Sequence, residues 1–205
     1  MPTYKLTYFN AKARAETARF IFAVAGQEYE DNRLKREEWP ELKKTMPFGQ
    51  VPLLEIDGKP LAHSGAINRT LARRFKLYGD NESEAAEIDQ VCECLVDLGL
   101  AMRNYFHEKD VARKENILKE LLETEASKHF KFLLNLLEAN YGGNGFYVGN
   151  RLSLADLDAA TYLTDMVARV PGLKVTEPKL LAHVNRILET PALSQWLKKR
   201  PQTPF

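Results

Sequence analysis

The hydrophobic pattern of the chain changes its period once, near residue 76. Before this point short apolar runs alternate with helix-like segments, whereas beyond it apolar residues recur at helical spacing. Because strands have a side-chain period of two and helices a period of about 3.6, the change predicts two parts of different class. We expect an α/β domain over residues 1–78 and an all-α domain over residues 82–205.

The elements of the first part are predicted in the order βαβαββα. YKLTYF alternates large and polar residues as a strand does, and the apolar helix AETARFIFAVAG ends at Gly26. QEYEDNR follows as a polar-edged strand, and Pro40 interrupts the short segment EEWPELKKT.

A hairpin and a helix complete the first part. Asp57 and Gly58 join the runs VPLLEI and KPLAH, and an Asp-Gly pair supplies the positive φ angles of a tight hairpin turn. Ser64 is of a type that caps helices, and the apolar residues beyond it recur at helical spacing. We therefore expect Ser64 to cap the helix that follows the hairpin.

The second part is predicted to be helical throughout. Its first helix carries one apolar face, formed by Ile88, Val91, Cys92, Leu95 and Leu98. A second helical region ends at Gly142, and Ser153 and Asp156 form a capping box in front of a third, apolar helix. A further helix precedes Pro191.

The balance of charge excludes several classes of partner. Lys and Arg total 29 against 28 Asp and Glu, so no overall field attracts nucleic acid or an acidic membrane surface. No run reaches the roughly 20 apolar residues that cross a bilayer, and we expect a cytoplasmic protein. Cys92 and Cys94 point about 200° apart on one helix, so we expect reduced thiols and no mutual disulfide.

The hairpin region has two features that fit a small acidic peptide as ligand. A cis bond between Val51 and Pro52 would turn the backbone N–H and C=O of Val51 outward, where they can pair with an extended chain. The helix start at Ser64 offers a hydroxyl and free N–H groups beside a positive dipole end, which suit a carboxylate.

Motifs along essentially the whole chain resemble the sigma class of cytosolic glutathione transferases, the class that includes haematopoietic prostaglandin D synthase. The motifs are YKLTYFNAKARAE, PFGQVPLLEIDG, LAHSGAI, GNRLSLADL and WLKKRPQTPF. The resemblance implies a thioredoxin-like domain that binds glutathione and a helical domain that supplies most of the second-substrate pocket. It also implies a homodimer with a role in detoxification, which conjugates glutathione to small hydrophobic electrophiles.

The resemblance assigns the catalytic roles to Tyr8 and Arg14. The phenol of Tyr8 would donate a hydrogen bond to the glutathione sulfur and favour the thiolate, which is the nucleophile. Arg14 would add positive field near that sulfur.

Further residues are implied to hold the tripeptide. They are Tyr8, Trp39, Lys43, Gln50, Val51, Pro52, His63, Ser64 and, from the partner subunit's copy of the chain, Asp97. Ser64 would bind the γ-glutamyl carboxylate, and Trp39 and Lys43 would meet the glycine end. His63 stands where the family usually has glutamine; imidazole titrates near pH 6.5, so we expect weaker or pH-dependent glutathione binding.

The second-substrate pocket is expected at Phe9, Arg14, Asn104 and Tyr105. The prostaglandin synthase has tryptophan at the position of Asn104, which puts isomerase specificity in doubt, while glutathione peroxidase activity stays open. An acidic row on one helix face is formed by Asp89, Glu93 and Asp97. Its negative charge would be balanced either by cationic side chains across a dimer interface or by a divalent metal ion. Val96 replaces one acid of the synthase, so no metal is expected.

One alternative belongs to a different functional class. A sigma-like chain can be retained as a non-catalytic binding protein or as a structural protein of the lens-crystallin type. Tyr8 and Arg14 favour the enzyme, whereas His63 leaves room for the alternative.

Overall fold

The computed structural model describes residues 2–203 of the chain. Three residues lie outside the described part of the chain: Met1, Pro204 and Phe205. The predicted domains include all three, and the motif WLKKRPQTPF includes the last two. The chain forms two compact units. The first combines the chain up to Leu77 with the chain from Thr190 onward, and the second runs from Tyr78 to Glu189.

The first unit contains a four-stranded mixed sheet of β1 (Tyr4–Phe9), β2 (Glu30–Leu34), β3 (Leu53–Ile56) and β4 (Lys59–Ala62). The strand order is β2-β1-β3-β4; β1 and β2 are parallel and the other two pairs are antiparallel. Helices α1 (Glu16–Ala25), α2 (Trp39–Thr45) and α3 (Ser64–Arg74) join these strands in the predicted βαβαββα order. This thioredoxin-like arrangement confirms the predicted fold of the first part.

Local sequence chemistry explains two chain reversals in this unit. Gly26 ends α1 with φ of 60°, a left-handed conformation that costs glycine little. Asp57 and Gly58 have φ of 50° and 75°, as a tight hairpin turn between β3 and β4 requires. Both turns were predicted at these residues.

Two local predictions were wrong. Pro40 lies in the first turn of α2, where its missing N–H is not needed, so the proline begins a helix and does not interrupt one. Ser64 is the first residue of α3, and the cap position belongs to His63, whose φ is 67°. The carbonyl of His63 accepts the first helical hydrogen bond, from the N–H of Ile67 at 2.9 Å.

Helices build the second unit. They are α4 (Glu82–His107), α5 (Val111–Glu120), α6 (Ala126–Ala139), α7 (Leu154–Thr161) and α8 (Pro178–Leu188). A wide helical turn, Leu121–Glu125, connects α5 to α6. The last helix, α9 (Pro191–Lys199), belongs to the first unit and packs on α1.

Helix α4 buries the apolar face that the sequence predicts. Ile88, Val91, Cys92, Leu95 and Leu98 are all buried. Cys92 is buried and Cys94 is half-buried on this helix. Within residues 2–203 no helix combines the length and the apolar character that crossing a membrane requires.

A buried carboxylate fixes the start of α7. The Oδ2 atom of Asp156 accepts hydrogen bonds from the backbone N–H and from the hydroxyl of Ser153, both at 2.8 Å. Its Oδ1 atom accepts the N–H of Tyr147 at 2.8 Å, so the same carboxylate ties the preceding loop to the helix. The predicted capping box is therefore present.

We predict that Ser153→Ala lowers the free energy of unfolding by about 1–2 kcal/mol, because the cap loses its hydroxyl and Asp156 stays buried with fewer donors. Urea denaturation followed by circular dichroism measures the change. Ser127→Ala, at an exposed position within α6, is the matched control and should change stability little. Equal stabilities of the two variants would contradict the capping role.

Candidate active site

The register of the sheet brings three predicted site residues to one end of the sheet. Thr7 of β1 pairs with Leu53 of β3, which pairs with Ala62 of β4. Tyr8, Pro52 and His63 are the residues next to this last paired row, Pro52 just before β3 and His63 just after β4. We call this end of the sheet, where the central strand β1 finishes, the β1 edge. Pro52 follows a cis peptide bond, and Ser64 begins α3 directly after His63.

Tyr8 lies at the carboxyl end of the central strand β1. Its side chain is 8% exposed, and its ring meets that of Phe9 with centroids 5.8 Å apart. The ring of Phe9 contacts Trp39 edge to face at 5.2 Å, which brings the first residue of α2 to the β1 edge. A buried aromatic residue therefore stands beside a half-exposed aromatic pair.

The segment after α2 brings a lysine to the β1 edge. Gly49 has φ of 58°, and a Cβ atom there would lie 3.5 Å from Cε of Lys43, so the lysine side chain runs along the backbone next to Gln50. Lys43, Gln50 and His63 are exposed to solvent and can meet a ligand. The ring of Phe48 packs on the imidazole of His63 with centroids 4.7 Å apart.

The structure thus gathers most of the predicted glutathione-binding residues on one end of one sheet. These are Tyr8, Trp39, Lys43, Gln50, Val51, Pro52, His63 and Ser64. Arg14 is exposed in a short 3₁₀ turn, Ala13–Ala15, between β1 and α1. The roles of these residues stay predictions.

The remaining predicted residues lie on α4 in the second unit. Asp97 and Asn104 are exposed and line an open groove of about 750 Å³ between α4 and the segment from α5 to α6. Tyr105 is half-buried, and the ammonium of Lys114 lies 4.8 Å from the centre of its ring.

The chain's own cysteines are poorly suited to act as nucleophiles. Burial, with a further contribution from the charge of Asp97, raises the pKa of the Cys94 thiol to about 11. Cys92 is buried in the core of the second unit. Since the thiolate is the reactive form, sulfur chemistry at the β1 edge requires a thiol that a ligand supplies.

Sequence reasoning missed a buried group of charges beside the loop that carries Arg14. Arg19 and Glu16 of α1 are 0% and 1% exposed and lie 3.0 Å apart, and Trp196 of α9 bonds to the same glutamate. The available signal was a pair of opposite charges one turn apart in an otherwise apolar helix.

Comparison with known proteins gives full-length matches. Residues 4–73 match the family profile described as Glutathione S-transferase, N-terminal domain, and residues 96–200 match the profile for the C-terminal domain of the same family. The chain is 42% identical to probable glutathione S-transferase 5 of Caenorhabditis elegans, over all of both chains. It is 37% identical to haematopoietic prostaglandin D synthase of Homo sapiens, over 99% of each.

A solved structure agrees with these matches. The structure described as a major nematode C. elegans specific GST superposes with a TM-score of 0.90 at 42% identity, over all of both chains. The predicted resemblance and fold class are confirmed. The chain belongs to the glutathione S-transferase family, in its sigma-like class.

Proposed function

We propose that the chain is a glutathione transferase that ionises the glutathione thiol at the β1 edge and transfers the thiolate to a hydrophobic electrophile. The observation that carries this proposal is the sheet register, which brings Tyr8, Pro52 and His63 to the same end of the sheet, next to the start of α3. It sets a phenol beside a strand edge and a helix start, the three groups that a thiol-containing tripeptide needs.

The chemistry at the sulfur depends on Tyr8. A hydrogen bond from its phenol stabilises the thiolate relative to the thiol, and each unit by which the thiol pKa falls corresponds to about 1.4 kcal/mol. Arg14, exposed in the neighbouring turn, adds a positive charge that favours the same form. The thiolate then attacks the electrophilic carbon, and the bond to the leaving group breaks with its electron pair.

The rest of the tripeptide has matching groups on the first unit. The backbone of Val51 pairs with the cysteinyl residue, as one strand edge pairs with another. The γ-glutamyl carboxylate binds at Ser64, where the dipole of α3 favours negative charge. Lys43 and Trp39 meet the glycine carboxylate, and the imidazole of His63 replaces the amide that the family usually has there.

Asn104 and Tyr105 of α4 are proposed to contact the second substrate. A prostaglandin isomerase activity is a second candidate, supported by the relative of that name. Asn104, where that synthase has tryptophan, makes conjugation the better-supported reaction.

We also propose a cytosolic homodimer, in which Asp97 reaches the glutathione of the partner subunit. Three exposed apolar side chains on two packed helices are candidates for the interface, because a contact between subunits would remove them from water. Val96 and Leu100 lie one turn apart on α4, and Phe132 lies on α6, which packs against it. Light scattering of the purified protein tests this assembly, and a monomeric mass at assay concentration would contradict it.

We predict that Tyr8→Phe lowers turnover of glutathione with 1-chloro-2,4-dinitrobenzene about ten- to hundredfold, because the thiolate loses a hydrogen bond to its charge. Glutathione affinity, measured by calorimetry, should fall much less. Tyr4→Phe is the matched control: it removes a buried hydroxyl from the same strand, where Tyr4 bonds to Arg74 at 3.0 Å.

The outcomes separate the enzyme from the non-catalytic alternative. Absence of conjugation by the unaltered protein would favour a binding or crystallin-type role. Conjugation that Tyr8→Phe leaves unchanged would remove Tyr8 from its proposed role while the transferase remained.

The reactivity of Cys94 in the second unit gives a test by pH. The pKa of Cys94 is raised from an ordinary value near 9 to about 11, so between these pH values the folded chain keeps a proton that the unfolded chain loses. The free energy of unfolding should therefore fall as the pH rises from 9 to 11. We predict slow alkylation of Cys94 by iodoacetamide at pH 8, measured by peptide mass spectrometry. Asp97→Asn should speed this alkylation, and a rate equal to that of the unfolded protein would contradict the raised pKa.

A further inference from the structure

A buried guanidinium holds the loop between Tyr8 and Arg14. Arg19 is fully buried, and its Nη1 atom donates to the carbonyl oxygen of Ala11 at 2.7 Å and to Oε2 of Glu16 at 3.0 Å. Its Nε atom donates to Asp31 of β2 at 3.2 Å. One side chain of α1 therefore fixes the loop and bonds to the neighbouring strand.

The last helix reaches this guanidinium through Glu16. The Oε1 atom of Glu16 accepts hydrogen bonds from Nε1 of Trp196 at 2.8 Å and from Nη1 of Arg200 at 2.9 Å. The other carboxylate oxygen bonds to Arg19. A continuous chain of hydrogen bonds thus runs from α9 through Glu16 and Arg19 to the carbonyl of Ala11.

The loop has a conformation that needs external support. Ala13 has φ of 40°, which a residue with a Cβ adopts rarely and at a cost. The N–H of Ala11 bonds to the carbonyl of Phe9 at 2.7 Å, and Asn10 accepts a hydrogen bond from Arg33 at 3.1 Å. The buried bond from Arg19 to the carbonyl of Ala11 joins this loop to the core.

We propose that Arg19 is a positioning residue for the reaction, and that Trp196 and Arg200 set its position through Glu16. The proposal rests on the proposed function, because its consequence is the placement of Tyr8 and Arg14 around the sulfur. Ala11 lies three residues from each of them, so a shift of its carbonyl moves the backbone that carries both. The groups that the first unit is proposed to supply for the rest of glutathione lie on α2, in the segment before β3 and at the start of α3, outside this chain of bonds.

Ionisation of the glutathione thiol and binding of glutathione should therefore respond differently to changes in this chain of bonds. Weakening the bonds from α9 to Glu16 raises the pKa of the bound glutathione thiol and lowers turnover. The affinity for glutathione changes little, because the strand edge and the start of α3 are unaltered. A role in stability alone predicts a lower melting temperature with an unchanged thiol pKa.

Trp196→Phe and the pair Arg200→Gln and Lys198→Gln test the proposal. Trp196→Phe retains an aromatic ring and removes the indole N–H that donates to Glu16. Arg200→Gln and Lys198→Gln each remove one positive charge near the end of α9. Of these two residues, Arg200 bonds to Glu16, so Lys198→Gln is the control. The thiolate absorbance of bound glutathione is measured against pH, together with kcat, KM for glutathione and the melting temperature.

We expect Trp196→Phe and Arg200→Gln to raise the bound thiol pKa by about 0.5 to 1 unit, a three- to tenfold lower thiolate fraction below that pKa. KM for glutathione should change less than about twofold, and Lys198→Gln should match the unaltered protein. If the unaltered protein ionises bound glutathione and neither Trp196→Phe nor Arg200→Gln changes the thiol pKa, the positioning role is overturned. Absence of any bound thiolate in the unaltered protein overturns the proposed function instead.

Discussion

Backbone pairing of β3 with its two neighbours is the constraint from which the candidate site follows. Tyr8 of β1, Pro52 just before β3 and His63 just after β4 come to the same end of the sheet through this pairing. A slip by one residue would exchange the two faces of a strand and carry the phenol away from the edge. The hairpin turn at Asp57 and Gly58 fixes this register, because its two positive φ angles allow one loop length.

The first unit separates two kinds of charge. At the β1 edge Lys43, His63 and Arg14 are exposed and can meet a ligand. Beneath the loop, Arg19 and Glu16 are buried and bond to one another, and Glu16 also accepts the indole N–H of Trp196. A buried ion pair contributes little net stability when its desolvation is counted, but removing one partner is costly. Its more specific consequence here is geometric, since it holds a strained loop in one position.

Much of the fold could be predicted because its determinants are local. Gly26 and the pair Asp57-Gly58 carry their own φ preferences, and the capping box of Ser153 and Asp156 spans a single helical turn. The start of the helix after the hairpin was predicted one residue late, because the cap at His63 has a positive φ that the sequence pattern does not indicate.

The bonds from α9 to the buried charges could not be predicted, because their two ends are distant in sequence. Trp196 bonds to Glu16 across 180 residues, and neither periodicity nor spacing relates α9 to α1. The sequence predicted the residues of the β1 edge through family motifs, and the sheet register then explains why such separate motifs meet. Their roles toward a ligand depend on contacts that the fold alone does not contain.

A crystal structure with glutathione bound would examine the proposed arrangement at the atoms concerned. We expect the sulfur within hydrogen-bonding distance of the Tyr8 hydroxyl, the cysteinyl backbone paired with Val51 and the γ-glutamyl carboxylate at the start of α3. Glutathione bound elsewhere, or at the β1 edge with its sulfur turned away from Tyr8, would contradict the account.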